Sequence, residues 1–199
     1  MKRSIVAVQI AVVILLLVSL PAYAGPPMDA VQTNVNKVLE VLRDPKLKPA
    51  SAKETEKERL RVIYEQMFDD VELSKRTLAR HWNSLNAAQR KEFVLLFRQV
   101  LEKAYIDKIL AYSDEKVVFE RETMASGTMA EIQTKIVTSS KEIPIAYRVI
   151  LKDGAWKVYD VVIENVSLVL NYRTQFNDIL AKNTPEQLLE TLRKKVKGQ

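Results

Sequence analysis

The chain contains no cysteine, four glycines in 199 residues and a single histidine. The absence of cysteine excludes disulfides, a thiol nucleophile, thiolate metal sites and a lipidated N-terminal cysteine. The four glycines, Gly25, Gly127, Gly154 and Gly198, stand too far apart to build a dinucleotide-binding turn, a phosphate loop or a nucleophile elbow. One histidine, His81, cannot supply a histidine-rich metal site, and a histidine-based triad would rest on that one residue. Beside Trp82 it reads as a surface or packing residue. No cofactor is implied.

Long apolar runs are also scarce. The one that exists, Ile5 to Leu20, follows Lys2 and Arg3 and precedes Pro21 and the small-x-small pattern Ala22-Tyr23-Ala24. This is the pattern of a secretory signal peptide cleaved after Ala24. A membrane anchor is the competing reading, but the run is shorter than the ~20 residues a spanning helix needs. Residues 25–199 then form one domain, expected to be soluble and periplasmic. The signal removes two of 31 basic residues and none of 25 acidic ones, so a mild basic excess remains. That balance suits anionic headgroups or an acidic partner and falls short of a nucleic-acid footprint.

The pattern of the mature chain changes halfway. Asp29 to Arg43 places Val31, Val35, Val38, Leu39 and Leu42 on one helical face, and Asp44-Pro45 stops it. Lys46 to Lys53 reads as a polar linker. A second helix runs from Glu54 to about Phe68 with Leu60, Ile63, Tyr64 and Met67 inward. Asp69 or Asp70 caps a third, carrying Val71, Leu73, Leu78 and Trp82. Asn86 and Gln89 have capping-box spacing ahead of a long helix to about Tyr112. Its apolar stripe, from Phe93 to Ile109, is wide enough for a helix buried on two sides or for one with a ligand-lining face.

From Lys116 the period becomes two. Lys116–Glu122 and Thr128–Thr138 read as strands. In the latter, Ala130, Ile132 and Ile136 oppose Glu131, Gln133 and Lys135. Ile143, Ile145, Tyr147, Val149 and Leu151 share a face of the next strand, where Pro144 suggests an edge or a bulge. Asp153-Gly154 is a two-residue hairpin signal, and Trp156 to about Asn165 returns antiparallel. Two helices close the chain, Leu168–Ala181 and Pro185–Val196, the second with Thr184, Pro185 and Gln187 in cap, first-turn and box positions. The expected fold is α+β, a curled antiparallel four-stranded sheet with N-terminal and C-terminal helices enclosing a cone-like apolar cavity.

Carboxylates offer little chemistry. Asp160 and Glu164, four apart on one strand, sit about 13 Å from each other, too far for a paired acid and base. A cone-shaped cavity with Asp160 and Tyr159 buried in it could run an isomerase or dehydratase reaction, which is the alternative reading, as is a structural adaptor with a filled core. The basic tail Arg193, Lys194, Lys195 and Lys197 suits a helix C-terminus.

Four blocks, in order, resemble the MlaC/Ttg2D family of periplasmic phospholipid-binding proteins. They are Phe68-Asp69 with Leu78-Ala79-Arg80-His81-Trp82, Leu85 to Arg90 with Phe93, Phe97, Leu101 and Tyr105, the Val149–Trp156 hairpin, and Trp156 to Phe176. The family usually has glycine where Ala79 stands, and many relatives have glycine at Asn165. The resemblance implies a carrier, not an enzyme, which holds phospholipid with its acyl chains inside. It also implies exchange with two partners, an inner-membrane complex of an MCE-domain protein and an ABC transporter, and an outer-membrane lipoprotein–porin complex. A monomer is expected. Carried over as chain-lining are Ile143 and Val166. Periodicity adds Tyr105, Val149, Tyr147, Phe97 and Leu168, each of which could equally be ordinary core.

Overall fold

In the computed structural model, residues 26–111 and 115–198 are described. Residues 1–24, read from the sequence as a signal peptide, lie outside them. Among the described residues no helix is long and apolar enough to cross a membrane.

Four helices come first: α1 (Pro27–Arg43), α2 (Lys53–Met67), α3 (Asp70–Leu78) and α4 (Ala87–Leu110). An antiparallel meander follows, β1 (Lys116–Ser126), β2 (Met129–Val137), β3 (Glu142–Lys152), β4 (Ala155–Ile163) and β5 (Val166–Ser167), hydrogen-bonded in that order. Helices α5 (Leu168–Leu180) and α6 (Pro185–Lys197) close the chain. The fold is α+β, as expected, with a curled sheet of five strands rather than four. The extra strand arises because Glu164 and Asn165 both adopt positive φ, 48° and 66°, and turn the chain back so that Val166 and Ser167 pair with Ile163 and Val162.

Polar side chains set the helix ends. Asp69, not Asp70, caps α3, accepting from the Glu72 N–H at 2.9 Å. Both capping boxes form, Asn86 with Gln89 and Thr184 with Gln187. Helix α3 stops at Leu78, before Trp82, because Ala79 takes φ 47° and ψ −118°; residues Ala79–Ser84 continue as a tighter 3₁₀ turn that carries His81. The segment read as a polar linker holds two 3₁₀ turns and buries Leu47.

The alternation fixes register. Ala130 pairs with Val149, Ile132 with Tyr147 and Ile136 with Ile143, so one face of the sheet is apolar and the other carries Glu131, Gln133 and Lys135. Pro144 occupies the central strand β3 rather than an edge or bulge. Its carbonyl accepts from the Glu164 N–H at 3.0 Å just past the end of β4, where the ladder stops and no donor is required of it. Register shifts lie instead at two points of the β1–β2 ladder and in β4. Arg148 opposes Asp160 and Val149 opposes Val158, leaving Tyr159 unpaired. That extra residue lets Val158 and Val161 both join the apolar face while Asp160 turns to the other.

The interior is divided in two. On the helical side, Phe93, Phe97, Tyr172 and Phe176 pack with leucines of α3, α4 and α6. On the sheet side, Val31 and Val35 of α1 and Met67 of α2 cover Ala130, Ile132, Val149, Val158 and Val161.

Candidate functional site

Where the two cores meet they do not close. A slot with a cavity volume of about 180 Å³ runs between them. Its floor is Val161 of β4, Phe68, Leu73 of α3 and Leu168 of α5. One wall is α2, through Leu60 and Tyr64; the other is α4, through Leu101, Tyr105, Ile106 and Ile109. Lys57, Arg61, Arg98 and Glu102 are the charged residues that line it. Lining residues on α2 and just past its end reach from Lys57 to Phe68, so the slot is about 16 Å long at 1.5 Å per residue. That is about half of the ~30 Å hydrocarbon thickness of a bilayer, or one leaflet.

The sequence builds these walls by helical spacing. Leu60, Tyr64 and Phe68 recur every four residues and form one row. Tyr64 and Phe68 stack with ring centroids 4.4 Å apart. The Tyr64 hydroxyl donates to Asp70. Burial, with the Asp70 carboxylate beside it, pushes the phenol far above its ordinary range, and burial raises Asp70 in turn. Helix α4 presents two faces. Phe93 and Phe97 enter the helical core, while Tyr105, Ile106 and Ile109 face the slot. One side of its wide stripe is therefore core and the other lines a cavity, so the helix is not buried on two sides.

Helices α2 and α4 face each other across the slot, and their backbones barely approach. Side chains span the gap. Arg61 pairs with Glu102 at 2.9 Å and Arg98 with Glu65 at 2.6 Å. Arg98 also lies over the Tyr64 ring, 5.4 Å from its centroid.

Of the seven residues singled out from the sequence, Tyr105 and Leu168 line the slot. Phe97 belongs to the aromatic core behind α4. Val149 is fully buried on the apolar sheet face, and Tyr147 packs against that cluster, where burial pushes its phenol up to about 12. Ile143 is half-buried at the far end of the same face, and Val166, at the turn into β5, is 54% exposed. The sequence reading missed Leu60, Tyr64, Phe68 and Val161 as slot residues.

Asp160 serves structure. Its Oδ2 accepts from Ser167 Oγ at 2.6 Å and from Arg148 Nη1 at 3.2 Å, and its Oδ1 accepts from the Val169 N–H at 3.0 Å. Ser167 in turn caps α5 through the Leu170 N–H. Tyr159 lies under the Arg76 guanidinium, 3.9 Å from ring centroid to carbon. Neither side chain lines the slot, and Glu164 has left the strand, so the carboxylate geometry of an isomerase or dehydratase is not assembled there. Among the described residues no group of His, Cys, Asp and Glu could hold a metal ion. A recess of about 400 Å³ on the opposite sheet face is walled by Glu120, Glu131, Gln133 and Arg148, the wrong chemistry for an apolar ligand.

Known proteins share this architecture. The chain is 28% identical over 119 residues to the intermembrane phospholipid transport system binding protein MlaC of Haemophilus influenzae. That match covers 57% of this chain and 56% of the relative, so it spans little more than half that protein's length. Identity to the toluene tolerance protein ttg2D of Pseudomonas putida is 22% over 162 residues, covering 80% of this chain and 75% of that one. Among solved structures, the phospholipid-binding protein from Ralstonia solanacearum, in complex with a phospholipid, has the same fold. The TM-score is 0.77 at 20% identity, over 85% of this chain and 96% of that chain. Residues 32–194 match the family described as MlaC protein, a span from α1 through the sheet to the last turns of α6, and the chain belongs to that family.

Proposed function

We propose that this protein is a periplasmic phospholipid carrier that holds acyl chains between its two cores and exchanges lipid with membrane-bound complexes. The observation that carries the reading is the slot: an apolar channel whose length matches one leaflet, floored by both cores and flanked by charge. The names of the relatives, which speak of phospholipid transport and phospholipid binding, support the same ligand.

At about 180 Å³ the slot is smaller than the roughly 300–1,000 Å³ of ordinary ligand sites, so loading requires it to widen. The surfaces that part are α2 and α4, held to each other by side chains rather than by backbone packing. Tyr105 and Leu168 are the first walls an acyl chain meets. Ile143 and Tyr147 continue the wall along the sheet, Val149 and Phe97 back it, and Val166 stands at its outer edge.

Energetics favour exchange over chemistry. Burying a methylene is worth ~0.8 kcal/mol, so two chains with about thirty carbons gain roughly 25 kcal/mol gross. A dry pocket and a bilayer offer nearly the same gain, so transfer between them is close to isoenergetic and needs no covalent step. Direction comes from the partners: an inner-membrane complex of an MCE-domain protein with an ABC transporter, and an outer-membrane lipoprotein–porin complex. The protein acts as a monomer after signal cleavage.

The test is the cargo. Full-length protein expressed with export and purified from the periplasm should yield phospholipid in a denaturing organic extract examined by mass spectrometry. An extract free of phospholipid would end the carrier reading. Ile143→Asp and Val166→Asp should empty a folded protein if they are walls, whereas unchanged lipid content would make them plain core or surface.

A further inference from the structure

We propose that Lys57, Arg61 and Arg98 form an anion subsite at the rim of the slot, which takes the phosphate of the bound lipid. The inference rests on the carrier reading and adds the part of the ligand that an apolar channel cannot hold.

Three observations point to it. First, these are the cations lining an otherwise apolar channel, and Glu102 is the one carboxylate among the lining residues. Second, helical spacing sets them in a row centred on Arg61, with Lys57 one turn before it and Arg98, level with Glu65, one turn beyond it. Lys57 and Arg61 are four residues apart on α2, and Arg98 faces them from α4, antiparallel across the gap, as the pairings Arg61–Glu102 and Arg98–Glu65 require. Third, Lys57 has no ion-pair partner among the described residues, whereas both arginines are paired. A lipid whose tails fill the slot brings its first charged atoms to this rim. Two guanidinium forks and an ammonium match the oxygens of a phosphate.

The arginines are not idle. Arg61 also pairs with Glu58, and Arg98 lies 3.9 Å from Asp70. A phosphate must therefore replace a carboxylate at Arg61 instead of meeting a bare cation. The net gain is the difference between the two, which keeps the contact modest and reversible. A carrier that must release its cargo needs that balance. The rim is also within reach of solvent, with Arg61 about one-third exposed, so salt weakens the contact.

The experiment compares two lipids with identical oleoyl chains, dioleoylphosphatidylglycerol and dioleoylglycerol, which lacks the phosphate. Each competes for delipidated full mature protein against a fluorescent fatty-acid probe. The phospholipid should bind roughly tenfold tighter, the worth of one charge-assisted hydrogen bond. In the variant Lys57→Gln/Arg61→Gln/Glu102→Gln, which removes two of the three cations together with the facing carboxylate, that ratio should fall at least about threefold; a change in slot opening acts on both lipids alike and divides out of the ratio. Circular dichroism confirms the fold. A ratio near one in the unaltered protein, or an undiminished ratio in the variant, overturns the rim subsite and leaves the carrier reading standing. Failure of both lipids to bind overturns both. Inorganic phosphate that displaces the phospholipid as effectively as added lipid would make this a free-anion site and overturn the lipid assignment.

Discussion

The helical and sheet-side cores are built from different residues and differ in how completely they close. On the helical side, four rings interlock. Phe97 meets Tyr172 and Phe176 edge-on at 5.0 and 5.3 Å, and Phe93 meets Phe176 edge-on at 5.5 Å. Phe93, Phe97 and Phe176 are at most 2% exposed. On the sheet side the apolar face is aliphatic and its burial is graded. Ala130, Ile132, Val149 and Val158 are sealed, largely beneath α1, whereas Ile136, Ile143, Ile145 and Ile163 toward the other end of the strands are half-buried. Ring packing of this kind is specific in geometry and buries large areas. The aromatic side therefore acts as a fixed wall. The aliphatic side, incompletely covered, is the one that can yield. The slot lies on the boundary, with α4 as the fixed jamb and α2, which packs on α1, as the movable one.

Core truncation should separate the two sides most sharply. Phe97→Ala removes a ring touching three of its neighbours and should cost about 3–5 kcal/mol of stability in urea unfolding. Ile145→Ala, at a half-buried site, should cost well under half as much, about 1–2 kcal/mol, because part of the residue already faces solvent. Equal costs would break the distinction between a fixed and a yielding side.

A smaller effect is expected where the two sides are tied together. Asp160 joins Arg148 of β3 and its own strand β4 to the start of α5, which carries Tyr172 and Phe176 of the aromatic core. Asp160→Ala leaves the Ser167 hydroxyl and the Val169 N–H without their acceptor. It should cost about 2–3 kcal/mol, at the lower end for a broken buried pair because Arg148 keeps Glu131 at 3.0 Å. The stronger claim concerns coordination: with the tie cut, hydrogen exchange should rise in the first turn of α5 before it rises in α4. Simultaneous loss of protection in both helices would mean that Asp160 merely supports one undivided core.

Much of the architecture was legible because local signals agreed. Helix starts with Asn86/Gln89 and Thr184/Gln187 satisfy their own backbone donors and so declare themselves. Period-two alternation set the β2–β3 register, since a slip by one residue would turn Ile132 and Tyr147 outward. What was not legible depended on backbone states the residue types do not announce. Neither Glu164 nor Asn165 is glycine, yet both take positive φ and create β5. Nothing in Trp156–Ile163 marks Tyr159 as the extra residue. The slot was half legible. Tyr105 and Leu168 came from periodicity, but Leu60 and Tyr64 read as core alongside Met67, and only Met67 joins a filled cluster. Hydrophobic spacing states which residues avoid water. It does not state whether the space they face is occupied.

The smallest predicted change sharpens the comparison from the other direction, by asking whether the fixed side holds strain in reserve. Ala79 ends α3 at φ 47° and ψ −118°, a conformation that costs an L-residue on the order of 1–2 kcal/mol and glycine almost nothing. The surroundings hold it there. The Ala79 N–H bonds back to the Lys75 carbonyl, and Arg173 of α5 donates twice to the Arg76 carbonyl, at 3.0 and 2.7 Å, so the last turn of α3 cannot drift. Ala79→Gly relieves the strain but gives the unfolded chain more freedom, which takes back about 0.4–1 kcal/mol. A net gain of about 1 kcal/mol or less is expected, read as a higher urea midpoint at unchanged slope. Pairing it with Arg173→Lys tests the cause. If the double grip of Arg173 enforces the strained turn, losing the fork should let α3 relax, and the benefit of glycine should shrink in that background. A benefit of the same size with and without the fork would place the origin of the turn in the short connection to Leu85 rather than in the docking of α5 against α3.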